Sequence, residues 1–138
     1  MRFMVFVKAT KASEAGVLPS AEMLSRMGAF NKQLIDAGVM LDANGLQASV
    51  KGAKVKFSGS KRRVIDGPFT EAKELVAGYW IWQCKNLAEA IEWAKRCPNP
   101  GDTEDSEIEI RQLFEMTDFP NVPDEVKQMA SDFERSKS

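Results

Sequence analysis

The sequence predicts an α+β domain of ferredoxin-like order, β-α-β-β-α-β, with an inserted β-hairpin and a C-terminal helix. Three observations predict it. Short runs of β-branched and aromatic residues alternate with two stretches of helical period, which makes two split βαβ units. The 138-residue length suits a single domain. The composition, 43% AVILMFWYC residues and 28% charged, is that of a globular chain able to bury a core without disulfide or metal.

The first run, Arg2 to Ala9, reads as a strand with apolar groups on both faces. Lys11 to Pro19 reads as a loop. From Ser20 the period becomes helical, with Met23, Met27, Phe30 and Leu34 on one stripe, Ser20 as N-cap and Gly38 as the stop. Val39 to Leu41 begins a short strand, and Asn44-Gly45 signals a tight turn. Lys51 to Arg63 holds six basic residues and no acidic one, and its alternation around Ser58-Gly59-Ser60 predicts a hairpin with one solvated basic face. Leu75 to Cys84 is the longest strand candidate. Asn86 to Arg96 is a helix with an Asn cap, Glu89 at the third helical position, and a buried stripe of Leu87, Ala90, Ile91 and Ala94. Gly101 to Glu109 is acidic, and Glu107 to Phe114 is the last strand. Pro123 opens a terminal helix whose apolar face, Val126, Met129, Ala130 and Phe133, needs a surface to dock on.

Several functions are excluded by composition. There is no histidine, so Ser-His-Asp and Cys-His catalysis, histidine-ligated zinc and the 2-His-1-carboxylate iron site are all out of reach. Acid-base chemistry would fall to Asp, Glu, Lys, Tyr or Cys with a shifted pKa. Cys84 and Cys97 form no CxxC pair and read as reduced thiols. No metal or cofactor is expected. Nineteen basic residues against twenty acidic ones give no field to draw in a polyanion, and the basic run matches no common nucleic-acid module. No apolar run approaches the ~20 residues of a membrane span, and none suits a signal-peptide core. The expectation is a cytoplasmic protein that meets neither membrane nor nucleic acid.

The strands are apolar on both sides, whereas a one-sided antiparallel sheet carries polar residues on its open face. A second copy of the chain is the simplest cover, so a homodimer is expected.

The string DGPFTEAKELVAGYWIW (Asp66 to Trp82), followed by EIRQL (Glu109 to Leu113), resembles the DGPF family of YCII-related proteins. The likeness runs over residues 1–115, with 116–138 as a helical extension of the same domain. Where the family usually reads Glu-Val-Arg-Pro, this chain has Glu109-Ile110-Arg111-Gln112. The resemblance implies a dimeric α+β barrel, two ferredoxin-like sheets face to face around a cleft. The broader group is similar to small barrel enzymes that work through a His-Asp pair, which this chain cannot supply. Other DGPF proteins are associated with extracytoplasmic-function sigma factors.

Five side chains stand out as candidates. Asp66, in Asp66-Gly67-Pro68-Phe69, either caps a rigid turn or serves as the catalytic carboxylate at the mouth of the cleft. Glu71 and Lys73 either are solvated loop charges or face that cleft. Glu109 and Arg111, two apart on a strand, share a face opposite Ile108 and Ile110. They either bridge subunits or hold a ligand, the Arg111 fork suiting a carboxylate or phosphate. One or two of Tyr79, Trp80, Trp82 and Trp93 would line a pocket. The functional expectation is a small polar or anionic organic ligand in the inter-sheet cleft, with lyase or isomerase chemistry managed without histidine. The alternative is a non-catalytic binding or regulatory module linked to sigma-factor-dependent transcription.

Overall fold

In the computed structural model, which describes residues 1–137 apart from the side chain of Lys73, β1 (Arg2–Lys8) lies inside a four-stranded antiparallel sheet. The strand order is β2-β5-β1-β6, formed with β2 (Met40–Gly45), β5 (Val76–Gln83) and β6 (Ile108–Gln112). The two strands of each βαβ unit are therefore separated by one strand of the other. Register places Phe3 opposite Trp82 and Val5 opposite both Trp80 and Ile110. That row forms one face. Met4, Phe6, Tyr79, Ile81, Glu109 and Arg111 form the other.

Helix α2 (Ala21–Asp36) covers the first face because its stripe repeats every three to four residues. Ser20 caps it, its hydroxyl accepting from the Met23 amide at 3.1 Å. Gly38, at φ +71°, turns the chain out of the helix in a conformation that strains a side-chain-bearing residue. Phe30 packs edge-on against Trp80 and Trp82, ring centroids 5.9 and 6.3 Å apart. With Leu34, Phe3 and Val5 these rings make the core, and each fully buried side chain of this size contributes about 1.5–3 kcal/mol.

Helix α3 (Leu87–Lys95) completes that layer, its Asn86 cap accepting from the Glu89 amide at 2.9 Å. Its buried stripe departs from the expected one. Ala90, Trp93 and Ala94 face the core, while Leu87 and Ile91 are exposed. The buried stripe is thus rotated around the helix away from Ile91 and toward Trp93, whose large ring packs on the core.

Two local readings are corrected. The expected loop after β1 contains a one-turn helix, α1 (Lys11–Glu14), capped by Thr10 and Ser13 in a reciprocal pair. Asn44-Gly45 is not a tight turn but the end of β2, paired with Tyr79 and Gly78. Cross-strand pairing with β5 overrides the local turn preference.

Strands β3 (Ala53–Ser58) and β4 (Lys61–Asp66) pair only with each other and form a separate ribbon. Its roots join at Gly67, whose amide donates to the Gly52 carbonyl at 3.1 Å. A Cβ at Gly67 would lie 1.7 Å from the Ser49 carbonyl oxygen, so only glycine fits this crossing.

The barrel and the homodimer built on it are corrected as well. The four strands form an open sheet with β2 and β6 as edges, and the sheet does not close. The second face is less apolar than β1 and β5 alone suggested. Lys8, Asp42, Asn44, Tyr79, Glu109 and Arg111 frame Met4, Phe6 and Ile81 there, and those three apolar side chains are already half-buried by their neighbours. Polar residues from the edge strands thus meet the demand that a second copy was expected to meet. Helix α4 (Asp124–Ser136) follows, with Val126, Met129 and Phe133 exposed rather than docked.

Candidate functional site

The segments leading to and from the ribbon both join the sheet at one end. β2 finishes there at Gly45, β5 starts there at Val76, and the Leu46 amide donates to the Ala77 carbonyl at 2.8 Å. At this end the face under α2 is almost bare, because the cross-strand pair is Gly45 and Gly78 and the next position on β2 is Ala43. Helix α2 runs on over this bare floor with Met27 and Asn31. The rest of its stripe meets the large rings of Trp80 and Trp82, which hold the helix at a height that small residues cannot fill.

The result is a groove of about 310 Å³ between helix and sheet, walled by Val7, Met27 and Trp80. Glycine inside a strand often marks a close approach by another group. A Cβ at Gly78 would lie 3.1 Å from the Asn44 carbonyl oxygen, whereas one at Gly45 would meet nothing within 4 Å, so the open space lies over Gly45. Among the described residues the lining carries no carboxylate, lysine, arginine or cysteine. Its side-chain polar group on the helix is Asn31, whose Oδ1 accepts from the Trp80 indole N–H at 2.9 Å. Cys97 lies just behind, its Sγ 3.9 Å from the Met27 sulfur, and burial pushes its thiol up to about 12.

The residues expected to carry chemistry are distributed differently. Glu109 and Arg111 do share the open face, opposite Phe6 and Met4, but Glu109 pairs with Lys8 at 3.2 Å rather than with Arg111. Arg111 is exposed and forms no ion pair among the described residues. Asp66 is exposed at the root of the ribbon, and its carboxylate takes no hydrogen bond among the described residues. The turn after it is fastened instead by Ser49. The Phe69 amide donates to the Ser49 hydroxyl at 2.9 Å, and that hydroxyl donates to Glu14 at 2.6 Å. Glu71 is exposed just before the 3-10 turn Ala72–Glu74. The side chain of Lys73 lies outside the described residues. Among the described residues no hydrogen bond or ion pair joins Asp66 or Glu71 to Arg111, and none of the three lines the groove.

Sequence reasoning found Tyr79 and Trp80 as pocket residues and missed Asn31, Gly45 and Gly78. A signal for Asn31 was present: asparagine disfavours helix interiors, yet this one sits beside the apolar stripe of α2. Among the described residues no group of three or more Cys, Asp or Glu is arranged to hold a metal, and no helix is long and apolar enough to cross a membrane.

Fold and groove together define a small α+β protein that keeps a ligand-sized space between one helix and one sheet. The chain belongs to the YCII-related domain family, whose profile matches residues 1–117. It is 29% identical over 87 residues to the uncharacterized protein R00369 of Rhizobium meliloti (strain 1021), covering 63% of this chain and 69% of that one. A solved structure that it resembles is the 5-chloro-2-hydroxyhydroquinone dehydrochlorinase of Burkholderia phenoliruptrix AC1100 in complex with 2,5-dihydroxybenzoquinone. That likeness covers 86% of this chain and 98% of the other, at 12% identity and a TM-score of 0.46. At that distance it says nothing about activity.

Proposed function

We propose that the protein binds a small organic molecule in the groove between α2 and the β2-β5 end of the sheet. The observation that carries this reading is the side-chain-free floor at Gly45 and Gly78 beneath a wall of Trp80 and Met27. A volume of about 310 Å³ lies at the lower end of ligand pockets and suits a molecule with a single ring. The bare floor lets the flat body of such a molecule rest on the strands. Binding is better supported than lyase or isomerase chemistry, because among the described residues no carboxylate or amine lines the groove to move a proton.

Trp80 makes the test direct. Titration of the full chain with monocyclic aromatics, namely acetophenone, ethylbenzene and benzoate, is expected to change its fluorescence with saturation by at least one of them. Gly45→Val is the matching variant. A Cβ at Gly45 meets no atom within 4 Å, and valine suits a strand, so the variant folds while its side chain fills the floor. Saturable binding that Gly45→Val abolishes supports the reading. Absence of any saturable change, or undiminished binding by a folded Gly45→Val, overturns it.

A further inference from the structure

Resting on that groove, we infer that its ligand is a neutral, flat molecule bearing a carbonyl or similar hydrogen-bond acceptor, which the Asn31 side-chain amide holds from above. An indole nitrogen only donates, so the group facing Trp80 across 2.9 Å must be the Asn31 oxygen. That bond fixes which way the amide points. The two N–H groups of Nδ2 are then the free end of the side chain, and they take no partner among the described residues. Asn31 is half-buried on the groove wall, so these donors meet an acceptor only if the occupant brings one or water enters.

The charge of the occupant follows from the same lining. With no cationic side chain around the groove among the described residues, an anion there would lose water and gain no opposite charge, only the neutral Asn31 donor. An ammonium is disfavoured in the same way, since no carboxylate lines the space. The apolar walls of Val7, Met27 and Trp80 suit the ring of the molecule. Of the other polar side chains in the lining, Asn44 and Tyr79 bond to each other and to Asp42, so the Asn31 donor sets which edge faces α2. The core supplies a contrast. Trp82, the neighbouring indole on the same face, has a buried N–H with no partner among the described residues, so the bond from Trp80 to Asn31 is a specific arrangement and not a general habit of this core.

The test is ¹⁹F NMR on the full chain with three matched probes: 4-fluoroacetophenone, 1-ethyl-4-fluorobenzene and 4-fluorobenzoate. The ketone is expected to bind about two- to tenfold more tightly than the hydrocarbon, the gain from one neutral hydrogen bond. The benzoate is expected to bind more weakly than the ketone. Asn31→Asp keeps an oxygen for the Trp80 N–H but removes the donor, so it should erase the preference for the ketone while the hydrocarbon still binds. Asn31→Ala should erase it too, at some cost in stability. Equal binding of ketone and hydrocarbon to the unaltered protein, or a ketone preference that survives Asn31→Asp, overturns the acceptor class and leaves the groove intact. A benzoate that binds as tightly as the ketone overturns neutrality. If none of the three probes binds, the groove reading itself falls and this inference falls with it.

Discussion

Phe3-Met4-Val5-Phe6 and Lys54-Val55-Lys56-Phe57 are both short extended runs, and they end in opposite environments. On β1, Phe3 is 1% exposed and Val5 fully buried, whereas on the ribbon Phe57 is 71% exposed and Val64 64%. Alternation fixes which residues share a face but not whether anything covers it. β1 lies between β5 and β6, and α2 is delivered over it by the connection from β1 to β2. The ribbon has one partner strand on each side of its turn and no helix. Lys54, Lys56, Lys61 and Arg63 occupy one of its faces, and Val55, Val64 and Phe57 the other. Stability should therefore reside in the sheet and its helices, with the ribbon contributing little.

The strongest way to break this contrast is at Trp82. It is fully buried and packs against Phe30 edge-on and against Trp80 at a tilt, with ring centroids 6.3 and 5.5 Å away. Trp82→Ala should lower the unfolding free energy by about 3–5 kcal/mol, the range for removing a large aromatic side chain from a core. Urea unfolding followed by far-UV circular dichroism measures it. A loss below about 1 kcal/mol would mean that the core collapses around the site, and the sheet would lose its place as the seat of stability.

Cys97, at the margin of the core beside Met27, should show an intermediate effect that depends on pH. Burial raises its thiol from the ordinary 9.0 to about 12. The folded state then holds a proton that the unfolded chain releases, so stability falls as pH rises from about 9 toward 12 and is unaffected by this group below that window. Cys97→Ala removes this contribution. The difference in urea midpoint between the original protein and the variant should shrink steadily above pH 9. A difference that stays constant to pH 10.5 would show that the thiol is open to solvent in the folded protein.

The same contrast explains what could be read from residues alone. The strands, the three longer helices, the caps at Ser20 and Asn86 and the hairpin depend on neighbours in sequence, and those signals are local. The extent of β2 was not legible, since Asn44-Gly45 favours a turn until β5 lies beside it. The open face was misjudged because β1 and β5 were weighed without Asp42 and Asn44, which the fold brings from the other edge. The groove was hidden for a similar reason. Gly45 and Gly78 stand 33 positions apart in the sequence, and their shared floor exists only after β2 pairs with β5. Asp66 drew attention through a turn motif that Ser49 and Gly52 in fact secure from an earlier segment.

The smallest expected effect tests the other half of the contrast. Phe57 is 71% exposed, so truncating it removes little area from contact with protein. What it does hold is the Arg62 guanidinium, 4.5 Å from its ring centre. At an exposed site such a pair contributes about 0.5–1 kcal/mol at most, and Arg62 keeps its bonds to the Gly59 and Lys61 carbonyls, both at 2.9 Å, without the ring. Phe57→Ala should therefore shift the unfolding free energy by less than about 1 kcal/mol, the most that the exposed pair contributes. Val64→Thr, at a position 64% exposed on the same face, should behave alike and keep the strand preference of a β-branched residue. Losses above about 1 kcal/mol at both positions would mean that the apolar face of the ribbon is covered in solution, because a side chain surrounded by water has no such contribution to lose.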